Sequence, residues 1–282
     1  MTGELIKVAC YNCGSDDAKF FLSENGFNID KCRKCGLLYM SARPSDDTIK
    51  NATAIGQHHG ERDLDANVYY NKDVIPHYIG VLQDIFDGDM ADITTWLDVG
   101  CGHGEFIESV RIYSNNKVKV RGSEPNVNKQ ASAAKRGLDI SFIDLESHDQ
   151  QYDCVSLLNV YSHLPDPKAF INTLRNVLKP GGEFLLQTGD VADFSPERIL
   201  KPLCLPDHMS FASEKILRDM LSRLGFEVIS VHKYPNLTLT PKALLKEAAK
   251  MLLPQYKSYL KYYLNWKSHS KSRMYIRAKR IS

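Results

Sequence analysis

From Thr94 to His232 short apolar runs alternate with stretches of helical spacing, and this alternation constrains the fold more than any other feature of the chain. Strand-like runs stand at TTWLDV (94–99), VKVRGSE (118–124), LDISFI (138–143), YDCVSLL (152–158), GEFLLQT (182–188) and FEVISVH (226–232), with helical patterns near 104–113, 126–136, 168–178 and 213–224. Strands that alternate with helices imply an α/β architecture, a doubly wound sheet whose ligand crevice lies at the carboxyl ends of its strands. Lys179, Pro180, Gly181 and Gly182 are expected to stop the helix before GEFLLQT, since proline cannot continue a helix and glycine allows the turn. A chain of 282 residues has room for one such domain and a small appendage.

The first strand runs into LDVGCGHGEF, residues 97–106. No lysine follows the glycines, so the loop is not a P-loop, and Glu105 stands where a dinucleotide fingerprint needs glycine. Asp98 at the strand end suits a ligand with ammonium or sulfonium charge better than a pyrophosphate. Glu124, ending the second strand, is placed to accept from a ribose diol. Asp144, ending the third, is placed to accept from an adenine amino group. Together they point to a nucleoside with a cationic amino-acid tail, S-adenosylmethionine. Cys101 and His103 read as permissive loop residues, because the glycine geometry accounts for the turn without them.

Upstream, Cys10, Cys13, Cys32 and Cys35 form two C-x₂-C pairs with eighteen residues between them, each second cysteine followed by a glycine. This is the spacing of a four-thiolate zinc site, closed to water and therefore structural. The alternatives are free thiols or two disulfides, and the second does not suit the reducing cytoplasm. A cytoplasmic location is expected, since the first residues lack the apolar run of a secretion signal and no apolar stretch approaches a membrane span. A net charge of +2 conceals an asymmetry: from Lys233 to Ser282 there are twelve Lys or Arg against the single acid Glu247. Such a stretch attracts anionic substrates, nucleic acid or a membrane surface, so peripheral membrane contact there stays open beside a plain solvated helix face.

The order of WLDVGCGHGEF, VRGSEPN, FIDLES, YDCVSLLNVYSHLPDP and LKPGGEFLLQT resembles that of class I S-adenosylmethionine-dependent methyltransferases over residues 94–234. With its four-cysteine front and the segment DHMSFASEKILRDMLSRLGFEVI, the whole chain is similar to bacterial sugar C- and O-methyltransferases acting on nucleotide-linked sugars in polysaccharide pathways. The resemblance implies a Rossmann-like, seven-stranded sheet with an antiparallel last strand. It implies four regions: a zinc-binding module (1–40), a connector and lid helix including NKDVIPHYIGVLQDIF (41–92), the cofactor-binding core (93–234), and a basic helical insertion with the final strand SRMYIRAKR (235–282). It assigns the cofactor to Asp98, Gly100, Cys101, Gly102, Glu124, Asp144, Leu145 and Asn159.

For a general base the candidates are His208, in LPDHMSFAS, and His163, in NVYSHLPDP, both just past strand ends. His208 falls on the histidine of a motif resembling Y-x-E-H-x-x-[YF]-F-S, with Asp207 for the acid and Phe211 for an aromatic, while Leu205 and Ala212 depart from it and leave O-methylation open. Tyr70, with Tyr69, is a candidate lid over the acceptor, and His58 and His59 carry no assignment. The expected acceptor is a small, anionic, sugar-containing molecule. An RNA methyltransferase is the runner-up, disfavoured by the near-neutral 10–35 module, where Lys19, Lys31, Arg33 and Lys34 face Asp16, Asp17, Glu24 and Asp30. A non-catalytic cofactor-binding protein is the third reading, against which the intact Asp98 to Gly104 loop and Glu124 stand.

Overall fold

In a computed structural model of the chain the described residues are 5–55, 57–58, 62–63, 69–88, 90–235, 245 and 270–281. Most of the basic insertion expected between residues 235 and 270, and His59, lie outside them.

The N-terminal region holds β1 (Leu5–Lys7), β2 (Ala18–Glu24), β3 (Phe27–Cys32), β4 (Leu38–Tyr39) and β5 (Ala42–Pro44), followed by α1 (Asp46–Ile55). The connector therefore contains a strand and a helix that its polar composition hides; α1 buries only Ile49 and Ala52, too few to leave a clear apolar period. Two short strands, β6 (Gln57–His58) and β7 (Arg62–Asp63), pair with each other. The lid segment forms α2 (Ile75–Phe86), with Pro76 in its first turn and Asp87 in the left-handed conformation at its end.

The alternating region forms β8 (Thr95–Val99), α3 (Glu105–Tyr113), β9 (Lys119–Ser123), α4 (Val127–Ala134), β10 (Ile140–Ser141), β11 (Tyr152–Leu158), α5 (Pro167–Asn176), β12 (Leu178–Gly189), β13 (Ser210–Phe211), α6 (Glu214–Arg223), β14 (Phe226–Tyr234) and β15 (Arg273–Arg280). Side chains start the helices where the sequence supplies caps: Asn126 accepts from the N–H groups of Asn128 and Lys129, and Asp166 from that of Ala169. One boundary differs from expectation. Helix α5 stops at Asn176, and Lys179 to Gly182 lie inside β12, where the pairing with β11 slips between Tyr152 and Cys154. The glycines serve a bulge in the strand, with Gly181 at φ +76°, rather than a helix end.

The sheet has seven strands in the order β10-β9-β8-β11-β12-β15-β14, parallel except for β15, which runs antiparallel to both neighbours. Alternation along each strand divides the core into two layers. Trp96, Cys154 and Leu185 face the layer of α2 and α3, where Trp96 meets the rings of Phe86 and Phe106 edge-on. Leu97, Val99, Val155, Leu157, Phe184 and Leu186 face the layer of α5 and α6. That second layer is continuous with buried residues of the N-terminal region, among them Cys10, Leu22, Ile29, Leu38 and Met40.

The N-terminal sheet reaches the core by a backbone ladder as well. Its order is β13-β4-β3-β2, so Ser210–Phe211, which follow His208, form its edge strand. Among the described residues no helix is long and apolar enough to cross a membrane.

Candidate functional site

The parallel ladder brings the ends of β8, β9, β10 and β11 to one edge of the sheet, and the turns that leave those ends carry the predicted cofactor residues. Gly100, Gly102 and Gly104 have φ of +69°, +58° and +91°. A Cβ on Gly100 would stand 2.4 Å from Val160, and one on Gly104 2.5 Å from Leu138. A Cβ on Gly102 would meet nothing within 4 Å, so only there does the bare backbone face open space where a ligand can approach it.

Asp98 is 2% exposed and accepts from the Ser156 hydroxyl, which in turn accepts from the Trp96 indole N–H at 2.8 Å. Burial pushes its carboxyl up to about 7, and the nearby charges of Glu124 and Glu105 act in the same direction against the Ser156 hydrogen bond. A buried carboxylate among acids gains most from a cation placed beside it. Glu124, also buried, accepts from the N–H of Gly102 at 2.9 Å and from that of Asn126 at 2.9 Å. It thereby ties the glycine turn to the β9 end, and each oxygen keeps a second lone pair for a ligand hydroxyl.

Asp144 is exposed just past β10, bonded to the Ser147 hydroxyl at 2.8 Å, and Leu145 is half-buried against the core. Asn159, just past β11, adopts φ +58° and donates its N–H to the Gln187 carbonyl. Cys101 faces away from this edge: its Sγ lies where a Cβ on Gly122 would stand at 2.5 Å, and burial pushes the thiol well above its ordinary value. Any part it takes in holding a ligand falls to its backbone.

Tyr70 sits beside the glycine turn, where its hydroxyl donates to Glu108 and the Arg136 guanidinium lies 3.8 Å from its ring centre. Arg136 also pairs with Glu108 at 3.0 Å and donates to the His103 carbonyl. The hydrogen bond to Glu108, the largest cause, and burial raise the Tyr70 hydroxyl to about 12, which keeps it a donor. Tyr69 is 73% exposed.

The two candidate histidines, from segments 44 or more positions apart, stand side by side. His163 closes the short turn Tyr161–His163 after β11, and its ring meets that of His208 edge-on at 4.3 Å between centres. Asp207 lies beside both, its Oδ1 3.2 Å from His163 Nδ1 and its Oδ2 4.0 Å from His208 Nε2. The Ser162 hydroxyl is 3.3 Å from His208 Nδ1, and Phe211 stacks on the His208 ring at 6.3 Å.

What holds this loop in place escapes a reading of the sequence. Glu24, at the end of β2, accepts from the N–H groups of Leu203, Cys204 and Leu205, and Asn25 donates to the Leu205 carbonyl at 2.9 Å. Met209 donates its N–H to Ser162 and accepts from Met40. A glutamate near a β-turn carries no local mark of a partner some 180 positions away.

In the N-terminal region the four cysteine sulfurs lie within 4.8 Å of one another, with Cys10 and Cys35 3.5 Å apart and Cys13 and Cys32 3.5 Å apart. A disulfide needs about 2.0 Å. Tetrahedral ligands at about 2.3 Å from a metal stand roughly 3.8 Å apart, so this set can hold a zinc ion. The turns after Cys10 and Cys32 close by N–H bonds from Gly14 and Gly36, at φ +72° and +80°.

A family model described as "Methyltransferase domain" matches residues 58–231. Curated relatives include the ubiquinone biosynthesis O-methyltransferases of Salmonella arizonae and Salmonella typhimurium, 30% identical over 99 residues that span 33% of this chain and 41% of theirs. Among solved structures, the Burkholderia thailandensis 1,6-didemethyltoxoflavin-N1-methyltransferase, with its substrate and S-adenosylhomocysteine bound, aligns at a TM-score of 0.52 and 11% identity over 94% of this chain and all of that one. The [4+2]-cyclase SpnF aligns at 0.53 and 20% identity over 83% and 92%. Those two likenesses speak for the fold alone.

Proposed function

This chain belongs to the methyltransferase-domain family, and on that premise we propose that it is an S-adenosylmethionine-dependent methyltransferase that acts on a small sugar-containing acceptor such as a nucleotide-sugar or polysaccharide precursor. The observation that carries the cofactor assignment is the buried Asp98 beside a glycine turn whose Gly102 faces open space. S-adenosylmethionine, when bound, supplies a methyl group already activated on a sulfonium for in-line displacement. Asp98 would hold the cationic amino-acid end and Glu124 the ribose. The turns at Gly100, Cys101 and Gly102, with Asp144, Leu145 and Asn159, would line the rest.

The remaining tasks are to aim the acceptor, exclude water and take a proton. His163 and His208 are proposed for the last, with Asp207 orienting them. A carboxylate on Nδ1 of His163 fixes the ring so that Nε2 is the basic nitrogen, the arrangement by which a neutral imidazole serves as base. Tyr70, anchored by Glu108 and Arg136, would close the rim on the glycine side. The names of the ubiquinone-pathway relatives favour an oxygen acceptor; the chain spans only 41% of their length, so their own substrate is not carried over. Zinc on Cys10, Cys13, Cys32 and Cys35 would be structural, since four thiolates leave no open position.

Calorimetry with S-adenosylhomocysteine, followed by a methyl-transfer screen over nucleotide-sugars, tests this reading. Micromolar product binding and turnover lost in both His163→Ala and His208→Ala support it. No binding at millimolar product would sink the cofactor site, and near-normal turnover in both variants would sink the base.

A further inference from the structure

His163, Asp207 and His208 have a second chemical capacity besides proton transfer. One ligand atom from each lies within 4.8 Å of the others, and none of the three belongs to the cysteine cluster. Imidazole nitrogens and carboxylate oxygens bind zinc-class ions at about 2.0–2.2 Å, which places neighbouring ligand atoms roughly 3 to 3.5 Å apart. His163 Nδ1 and Asp207 Oδ1, at 3.2 Å, already meet that spacing, and His208 Nε2 stands 4.0 Å from Oδ2 of the same carboxylate; to bind a metal, Nδ1 of His163 exchanges its hydrogen bond to the Asp207 carbonyl, at 3.1 Å, for the ion and gives up its proton. The side chains are 24%, 12% and 28% exposed, so the cluster is neither sealed from ions nor loosely solvated.

The surroundings match a metal site in one more respect. Ligating histidines characteristically donate their other ring N–H to an outer partner, and His208 Nδ1 lies 3.3 Å from the Ser162 hydroxyl. Two imidazoles with one carboxylate select zinc, cobalt or nickel over magnesium or calcium, which prefer all-oxygen sets. Three protein ligands also leave positions open for water.

We infer that His163, Asp207 and His208 form a second metal site, distinct from the four cysteines, which takes a divalent zinc-class cation and is inhibitory when filled. The inhibition follows from the tautomers. Coordination through Nδ1 of His163 leaves its proton on Nε2, and coordination through Nε2 of His208 leaves its proton on Nδ1 facing Ser162. Neither ring then keeps a lone pair for the acceptor's proton. The binding stands on geometry alone, whereas the effect on turnover rests on the histidine-base reading above.

The test is to titrate the full-length, zinc-loaded protein with Co²⁺ and follow the visible spectrum, metal content and methyl transfer together. One further equivalent of cobalt is expected to bind, with ligand-field bands but no sulfur-to-cobalt charge-transfer band. That equivalent should vanish in His163→Ala and His208→Ala, which keep their cysteine-bound zinc and their affinity for S-adenosylhomocysteine. Wild-type turnover should fall at least tenfold at saturation and recover on chelation. Failure to bind a second equivalent, or its persistence in both variants, overturns the site. Turnover unchanged or raised by bound cobalt overturns the inhibition. Absent S-adenosylhomocysteine binding in the wild type would sink the methyltransferase reading instead and leave the cobalt spectrum to judge the site.

Discussion

Gly102 and Glu124 are 22 positions apart and joined by one hydrogen bond across adjacent parallel strands, so the proposed cofactor rim assembles from neighbouring β-α units. The proposed acceptor rim joins Ser162 to His208 over 46 positions and Glu24 to Cys204 over 180. The first rim depends on the sheet alone. The second needs the N-terminal sheet docked, because β13 is at once the strand after His208 and the edge strand of that sheet. A lesion in the N-terminal region should therefore damage acceptor chemistry without touching the cofactor residues, provided the fold survives.

The largest effect is expected from Cys32→Ser. Metal binding to a four-thiolate site is mostly folding energy, on the order of 10 kcal/mol. The cysteines share a continuous core with Leu97, Val155 and Phe184 of the main sheet, so loss of the proposed zinc should cost the whole molecule its cooperative transition. Metal analysis and thermal melting check this; a variant that keeps its melting temperature would mean that the two regions fold independently and that the contrast between the rims has another origin.

Next in size is Asp98→Asn, which should weaken S-adenosylhomocysteine binding by about 2 kcal/mol, the range of a hydrogen bond to a charged group, or about thirtyfold. The pH dependence has a definite sign. With its carboxyl pushed up to about 7, Asp98 in the ligand-free protein keeps a proton that the unfolded chain releases near pH 4. This group therefore removes stability as pH rises from about 4 through 7, and over the upper part of that window it gains the charge that attracts a cationic ligand. Affinity should rise with pH up to about 7 and then level off, while the asparagine variant stays flat. Calorimetry across pH 5.5 to 8.5 distinguishes the two.

Glu24→Ala sharpens the comparison most directly. It removes the acceptor for three backbone N–H groups of the loop that carries Asp207 and His208, a loss of about 1–3 kcal/mol. Turnover should fall roughly tenfold, with S-adenosylhomocysteine affinity within twofold of wild type; a joint loss of both would show that the rims are not separable. The smallest effect belongs to Tyr70→Phe. It deletes one half-buried hydrogen bond worth about 1 kcal/mol and leaves the ring under Arg136. Stability should fall by about that amount and cofactor affinity by less.

The geometry of the proposed cofactor rim could largely be read from the chain. Asp98, the alternate glycines and Glu124 lie at strand ends, and the positive φ of the turn and the parallel ladder are local demands that only a few residue types meet. The spacing of the cysteines is legible for a similar reason, since each pair closes its own short turn. By contrast, the KPGG stretch in β12 misleads because proline and glycine suit a strand bulge as well as a helix stop.

By itself, then, the sequence determined the α/β alternation, the glycine turn and the four-cysteine grouping. These depend on backbone conformation and on contacts within one or two consecutive elements. Only the tertiary structure decided that His163 and His208 meet beside Asp207, that Cys101 turns into the core, and that Glu24 and β4 hold the His208 loop. Such pairings unite segments far apart along the chain, and their energy comes from hydrogen bonds and buried area that exist only once both partners are placed.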